Sequence, residues 1–233
     1  MEIKKTFSEV DIKLSSEQFN KLFSFQKLLG EWNTKINLVS EVSTDFNVIH
    51  ILDSLMILKY IEIEKHTDIA DIGSGGGLPV IPLAIAMPEN RFTCIDSSKK
   101  KMNALSDIIQ KLNLSNVDII CDNIEKVGRD EGYRGKFNLV TSRALASLRI
   151  LIEYGIPLLK LSGRLICYKG ILHKEEVENS TNALKKLNGK IVKTVYFILP
   201  FTNRQRSIVV VDKLGKTDNV YPRLPGKIKK SPL

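Results

Sequence analysis

The sequence predicts an α/β fold: a mostly parallel, seven-stranded sheet with an antiparallel closing strand, preceded by an N-terminal helical extension. Three observations carry this reading. From residue 69 onward, short apolar runs of strand length alternate with longer helical segments, the pattern of parallel strands joined by right-handed crossovers. A glycine-rich turn directly follows the first strand. The last two strands, 193–199 and 206–211, are separated by about six residues, which allows an antiparallel hairpin but no helical crossover. Together these features describe a Rossmann-like domain.

Residues 15–32 predict an amphipathic helix. Ser15 and Gln18 offer a capping box. Phe19, Leu22, Phe23, Leu29 and Trp32 recur at helical spacing, and core packing is the expected use of that stripe. A second helix falls within 45–60, with Ile49, Leu52, Leu55, Met56 and Tyr60 on one face. Five strands follow at 69–72, 91–96, 117–121, 137–141 and 164–168, with helices at 78–87, 99–112, 148–159 and 174–188. The chain therefore divides into a helical extension (1–65), a Rossmann-like domain (66–212) and a basic C-terminal tail (213–233). Pro222, Pro225 and Pro232 punctuate the tail, which is expected to be irregular and partly mobile.

Composition narrows the class. A chain of 233 residues is long enough to bury a sizeable core. Its net charge of +9 suits a polyanionic partner, though a merely lysine-rich surface would give the same number. The longest apolar run, 78–87, carries two prolines and is too short to span a bilayer. No apolar stretch follows the basic start, so no signal peptide and no membrane partner are expected. Cys94, Cys121 and Cys167 lie in or at the end of strands without C-x-x-C spacing and read as buried reduced thiols. His50, His66 and His173 are scattered, so no metal site is expected. A cytoplasmic monomer fits these features.

The turn Asp71-Ile72-Gly73-Ser74-Gly75-Gly76-Gly77-Leu78 joins the first strand to the next helix. Glycine lets a ligand approach the main chain, and ligands in open parallel sheets sit at the carboxyl ends of strands. Dinucleotide enzymes use G-x-G-x-x-G there. Counted from Gly73, the sixth position is Leu78, so the third glycine is missing. The tighter spacing Gly73, Gly75, Gly77, preceded by Asp71, is the version used for S-adenosylmethionine by class I methyltransferases. Asp96 ends the second strand, where a carboxylate can accept hydrogen bonds from both ribose hydroxyls; this feature suits NAD equally. After the third strand, Ile124 and Glu125 fall where an adenine would be bordered.

The fourth strand ends in Thr141-Ser142-Arg143-Ala144. It carries no Pro-Pro-aromatic turn for an exocyclic amine and no cysteine for covalent attack on a pyrimidine. An arginine at this strand's carboxyl end points to an anionic or carbonyl-bearing substrate; the alternative is a surface salt bridge.

Several spaced motifs then resemble the RsmG (GidB) family of bacterial 16S rRNA guanine-N7 methyltransferases. They are Trp32-Asn33 with Asn37-Leu38, His50-Ile51-Leu52-Asp53-Ser54, and the glycine turn with Pro79 and Ile81-Pro82-Leu83. Further along come Asp96-Ser97 with Lys100, Ser142-Arg143-Ala144, Lys169-Gly170 and Tyr221-Pro222-Arg223. The resemblance implies S-adenosylmethionine contacts at Gly73, Leu78, Ile124, Glu125 and Arg143. It also implies methylation of a guanine N7 in 16S rRNA, on the small ribosomal subunit or its precursor. Leu78 stands where many members have Phe, Val80 where Gly is common and Lys101 where Arg is usual. The last change keeps the charge but removes a forked donor.

Guanine N7 carries an in-plane lone pair, so no catalytic base is needed. The catalytic candidate is Arg143, which would reach O6 of the base, a phosphate or the cofactor rather than N7. Lys100, Lys101, Lys169 and Arg223 of the tail are candidate phosphate contacts. His50 and Asp53 read as structural links between the helical extension and the sheet. Competing readings are a methyltransferase for another RNA or a small molecule, an NAD-linked oxidoreductase and a non-catalytic RNA-binding protein.

Overall fold

The computed structural model describes residues 7, 10–39 and 47–233. Helix α1 (Ser16–Asn33) opens with the expected capping box. Ser15 Oγ accepts from Gln18 N at 3.1 Å, and Gln18 Oε1 accepts from Ser15 N at 2.7 Å. Gln18 Nε2 also donates to the carbonyls of Ile85 and Ala86, both at 3.0 Å, tying the helix start to the domain behind it. The buried face is Phe19, Leu22, Phe25 and Leu29. Phe23, assigned to that face from its spacing, is instead 43% exposed, because Phe25 completes the i, i+3 row. The second helical stretch is a π-turn (Asn47–Leu52) running into α2 (Asp53–Leu55) and α3 (Ile57–Tyr60); residues 45 and 46 of the expected helix lie outside the described residues.

Seven strands follow: β1 (Asp68–Ile72), β2 (Arg91–Ile95), β3 (Val117–Ile120), β4 (Phe137–Arg143), β5 (Leu159–Lys169), β6 (Gly189–Ile198) and β7 (Gln205–Lys213). Their order is β3-β2-β1-β4-β5-β7-β6. The first five pair in parallel, and β7 lies antiparallel between β5 and β6. The closing hairpin therefore folds back so that its second strand docks on the sheet and its first becomes the edge. Helices α4 (Val80–Ala86), α5 (Lys99–Lys111), α6 (Ile124–Val127), α7 (Leu148–Gly155), α8 (Lys174–Glu178) and α9 (Thr181–Leu187) occupy the crossovers. Two expected helices are shorter than their periodicity suggests. One gives way at Ile156–Leu158 to a tighter turn containing Pro157, and the segment 174–188 breaks into α8 and α9 at the buried Ser180.

Alternating strand residues feed two cores, one on each face of the sheet. Ile69, Phe92, Cys94, Leu139 and Ile166 join α1, α4 and α5 on one face. Ala70, Ile95, Val140, Leu165 and Cys167 join α7 and α9 on the other. Phe25, Leu29 and Leu55 belong to the first core, so the helical extension shares its interior with the sheet. Cys94 and Cys167 are buried as expected, but Cys121 is exposed, because β3 ends one residue before it.

The tail is more ordered than its proline content predicts. It contains a single helical turn, α10 (Lys227–Lys230), whose Ile228 is fully buried against the second core. Arg129 donates to the carbonyls of Pro222 and Val220 at 2.7 and 2.9 Å. Arg134 donates to those of Tyr221, Thr217 and Asp218.

Candidate active site at the carboxyl edge

Two neighbouring regions of the sheet's carboxyl edge carry the candidate residues. The first is the turn after β1. Ser74 rivets it to β2: its hydroxyl donates to the Asp71 carbonyl at 2.8 Å and accepts from Ile95 N at 3.1 Å. Gly73 N donates to the Ile95 carbonyl at 2.8 Å. Gly77 has φ +86°, and a Cβ there would sit 2.6 Å from Ile81 Cγ1 and 2.8 Å from Leu105 Cδ1. A Cβ on Gly73 would meet Leu145 at 2.7 Å. Gly75 differs: its nearest neighbour would be the Gly73 carbonyl, 3.8 Å away, so its Cα faces open space. Packing thus demands two of the glycines, and the third leaves the main chain bare to a ligand.

Asp96, just beyond β2, closes the other side of this space. Its carboxylate accepts from Gly75 N at 3.0 Å and from Ser98 N at 2.9 Å. Ile124 and Glu125 begin α6 at the end of β3, and both are buried. Glu125 accepts from the Tyr154 hydroxyl at 3.3 Å, and burial with this carboxylate alongside pushes the phenol's pKa upward. Leu78 is buried, with its side chain in the first core. A bare glycine, a carboxylate and an apolar border at the ends of three adjacent strands fit S-adenosylmethionine.

Asp71 lies beneath the turn. Its Oδ1 accepts from the Thr141 hydroxyl at 2.7 Å, while Oδ2 is buried with no hydrogen-bond partner among the described residues. Burial is the largest influence and lifts this carboxyl to about 7; the Thr141 and Ser74 hydroxyls and Arg143 act against the rise.

The second region is a corner built from the ends of β4 and β5, the start of β7 and the segment 47–55. Arg143 holds it together. Its Nη1 donates to the His50 carbonyl at 3.1 Å and Ser54 Oγ at 3.2 Å, and lies 3.4 Å from Asp53 Oδ2. Its Nη2 lies 2.8 Å from His50 Nδ1. Guanidinium nitrogens only donate, so that ring nitrogen accepts. Asp53, 5% exposed, bridges to Arg206 at 3.1 Å. The Tyr168 hydroxyl donates to the Ser54 carbonyl at 2.8 Å. The expected link from His50 and Asp53 to the sheet is therefore present, and Arg143 is its hub. Beside it opens a cavity of about 310 Å³, walled by Arg143, Lys169, Arg204, Arg206, Tyr168 and Asp53 among others.

The remaining expected site residues are dispersed. Lys169 sits 2.6 Å from Glu176 and donates to the Ala146 carbonyl, bracing the loop after β4 while still lining the cavity. Lys100 is exposed and Lys101 partly so, on the first turn of α5. Arg223, expected to meet phosphate, is instead committed inward. It forks onto Glu153 at 2.7 and 2.6 Å, and that carboxylate has no exposed surface. The cause is the buried charge on α7, which needs a partner. Sequence reasoning passed over Ser54, Ser74, Arg129, Arg134 and Arg206; of these, only Ser54 and Ser74 fell inside a recognised motif.

Fold and site define a class I S-adenosylmethionine-dependent methyltransferase. Residues 18–209 match the sequence profile of the GidB family, described as rRNA small subunit methyltransferase G, and the chain belongs to that family. It is 34% identical to the Ribosomal RNA small subunit methyltransferase G of Alkaliphilus metalliredigens over 100% of this chain and 98% of that one. The enzyme of the same name from Acetivibrio thermocellus is 38% identical over 95% of this chain and 91% of its own. Among solved structures, a SAM-dependent methyltransferase from Aquifex aeolicus matches with a TM-score of 0.55 and 12% identity, covering 78% of this chain and 97% of that one. The [4+2]-cyclase SpnF matches with a TM-score of 0.58 and 12% identity, covering 88% and 98%. These structural likenesses speak to the fold alone, which hosts more than one chemistry.

Proposed function

We propose that this protein transfers a methyl group from S-adenosylmethionine to N7 of a guanine in 16S rRNA, on the small subunit or its precursor in the cytoplasm. The observation that carries the reading is the corner cavity. Its walls bring four cationic side chains, Arg143, Lys169, Arg204 and Arg206, to one carboxylate, Asp53, which is already ion-paired to two of them. Such a site attracts a polyanion and, among the described residues, offers no uncommitted carboxylate to act as a base. Guanine N7 needs none, because its lone pair lies in the ring plane.

S-adenosylmethionine, bound at the turn, supplies an electrophilic methyl carbon. The chain's own task is orientation. Asp96 presents acceptors for ribose hydroxyls, Gly75 leaves the main chain accessible, and Ile124 and Glu125 border the adenine. Arg143 keeps segment 47–55 against β4 and β5, fixing the cavity wall. For it to touch O6 of the base, a nitrogen would have to leave His50 or Asp53, so its contribution in this reading is chiefly positioning. The N7 edge lies in the deep, narrow major groove of A-form RNA, so the target sits in a loop or is splayed out.

The test is labelled methyl transfer to small subunits from cells lacking this activity, followed by mapping of the modified base. One 7-methylguanine in 16S rRNA is expected. Transfer to another base, or to none, removes the proposal.

A further inference from the structure

The edge strand β6 carries an apolar surface that the site described above does not use. Tyr196 is 65% exposed and Ile198 63%, on one face of the strand; Ile171, just past β5, is 59% exposed. With Leu172, Phe197 and Arg206 they line a groove of about 350 Å³. The turn between β6 and β7 adds Phe201, 55% exposed. Monomeric proteins seldom leave contiguous apolar surface bare without a use for it.

The groove adjoins the corner cavity. Gly170 and Arg206 line both. Tyr196 pairs with Ser207, and Ser207 pairs with Lys169, so one row across β6, β7 and β5 runs from the tyrosine to the cavity wall. Two strand spacings make that roughly 10 Å. Ser207 Oγ donates to the Gly170 carbonyl at 3.0 Å, fixing the boundary between the two spaces.

We propose that this groove receives the nucleotides flanking the target base, with bases stacking on Tyr196 and against Ile171 and Ile198. The inference rests on the RNA substrate proposed above. Apolar and aromatic faces beside guanidinium groups are how sequence-tolerant single-strand sites are built: every base has a face to stack, and every phosphate has a charge to meet. Arg204 and Arg206 supply the charge on the cavity side. A second copy adding a strand to this edge fits less well, because exposed Lys190 and Lys193 stand on it, and lysines on edge strands oppose such pairing.

The test uses the full chain and three proteins: wild type, Tyr196→Ala and Tyr196→Phe. Two quantities are measured, KM for small subunits and the Kd of a fluorescein-labelled, protein-free 16S rRNA fragment containing the modified loop. Tyr196→Ala is expected to weaken both at least about fivefold, the lower end of one lost base stack, with S-adenosylmethionine affinity unchanged. Tyr196→Phe should restore both, since the ring is what matters. The inference is overturned if Tyr196→Ala leaves both quantities as in wild type. It is overturned too if only subunit binding weakens, which would mean a ribosomal protein occupies the groove, or if the variant changes the oligomeric state, which would mean a second copy does. Failure of wild type to methylate 16S rRNA would count against the proposed function instead, while fragment binding would still report on the groove.

Discussion

The two regions at the sheet's carboxyl edge are built by opposite means. The turn after β1 is shaped by main chain and by missing side chains: Gly73, Gly75 and Gly77, with Ser74 as the rivet. The corner beyond β4 is shaped by charge: Arg143, Asp53 and Arg206, with His50 and Ser54 filling the remaining positions. Added atoms should therefore damage the first region, and removed charges the second.

The largest effect is expected from Gly77→Ala. A left-handed φ costs an alanine about 1–2 kcal/mol, and an overpacked Cβ typically adds about 1–3. The variant should lose several degrees of Tm and most of its S-adenosylmethionine binding, as read by thermal melts and calorimetry. Gly75→Ala carries the same left-handed backbone cost, at φ +50°, but its Cβ meets nothing closer than 3.8 Å. Its melt should therefore fall less than that of Gly77→Ala, while cofactor affinity falls more than about tenfold, the size of one displaced close contact. Unchanged affinity in Gly75→Ala would mean that the open face of the turn is not the cofactor seat.

Next comes Arg143→Ala. It leaves Asp53 buried with Arg206 as its remaining partner and strips donors from His50 and Ser54. Breaking a buried pair costs on the order of 3 kcal/mol. Arg143→Lys should recover little of it, because a point charge cannot bond Nδ1, a hydroxyl and a carbonyl from one plane. Urea unfolding measures the loss. Methyl transfer should fall further than S-adenosylmethionine affinity if the corner serves the substrate. Equal losses in both would merge the two regions into one.

The same contrast explains what was legible in the sequence. The turn is local: strand, acid, glycines, helix and second acid fall within residues 69–96, so their order alone marks a nucleoside-cofactor site. Leu78 in the sixth position, with the closing strand pair and the Ser142-Arg143-Ala144 loop, favours S-adenosylmethionine over NAD. The corner is not local. Arg206 meets Asp53 across 153 positions, and Arg143 meets His50 across 93. His50, Asp53, Arg143 and Lys169 each stood out within a motif, but nothing in one sequence says that they converge. The inward pairing of Arg223 was hidden for a related reason. A basic tail suggests phosphate, while the buried Glu153 that claims this arginine looks like any glutamate on an amphipathic helix. Arg129 and Arg134 left no trace at all, since they donate to main-chain carbonyls of the tail, and a carbonyl has no sequence signature. The capping box at Ser15, by contrast, was readable because both its partners lie three residues apart.

The smallest expected effect concerns the residue shared by the two regions. Asp71 lies under the glycine turn, with Asp96 raising its pKa from one side and Arg143 lowering it from the other. Burial dominates and brings it to about 7 from 3.8. The folded chain therefore keeps a proton that the unfolded chain has already released above pH 4. Stability from this group is full below the unfolded value and is lost as the pH rises through 7. Asp71→Asn removes that loss, and the amide can still accept from Thr141 through its oxygen. Between pH 6 and pH 8, the wild-type Tm should fall relative to the variant by a few degrees, the shift expected for about 1 kcal/mol in a chain of this size. Parallel curves would mean that Asp71 keeps its charge throughout this range. The buried Oδ2 would then need a cation beside it, and Arg143 would have to serve the turn as well as the corner.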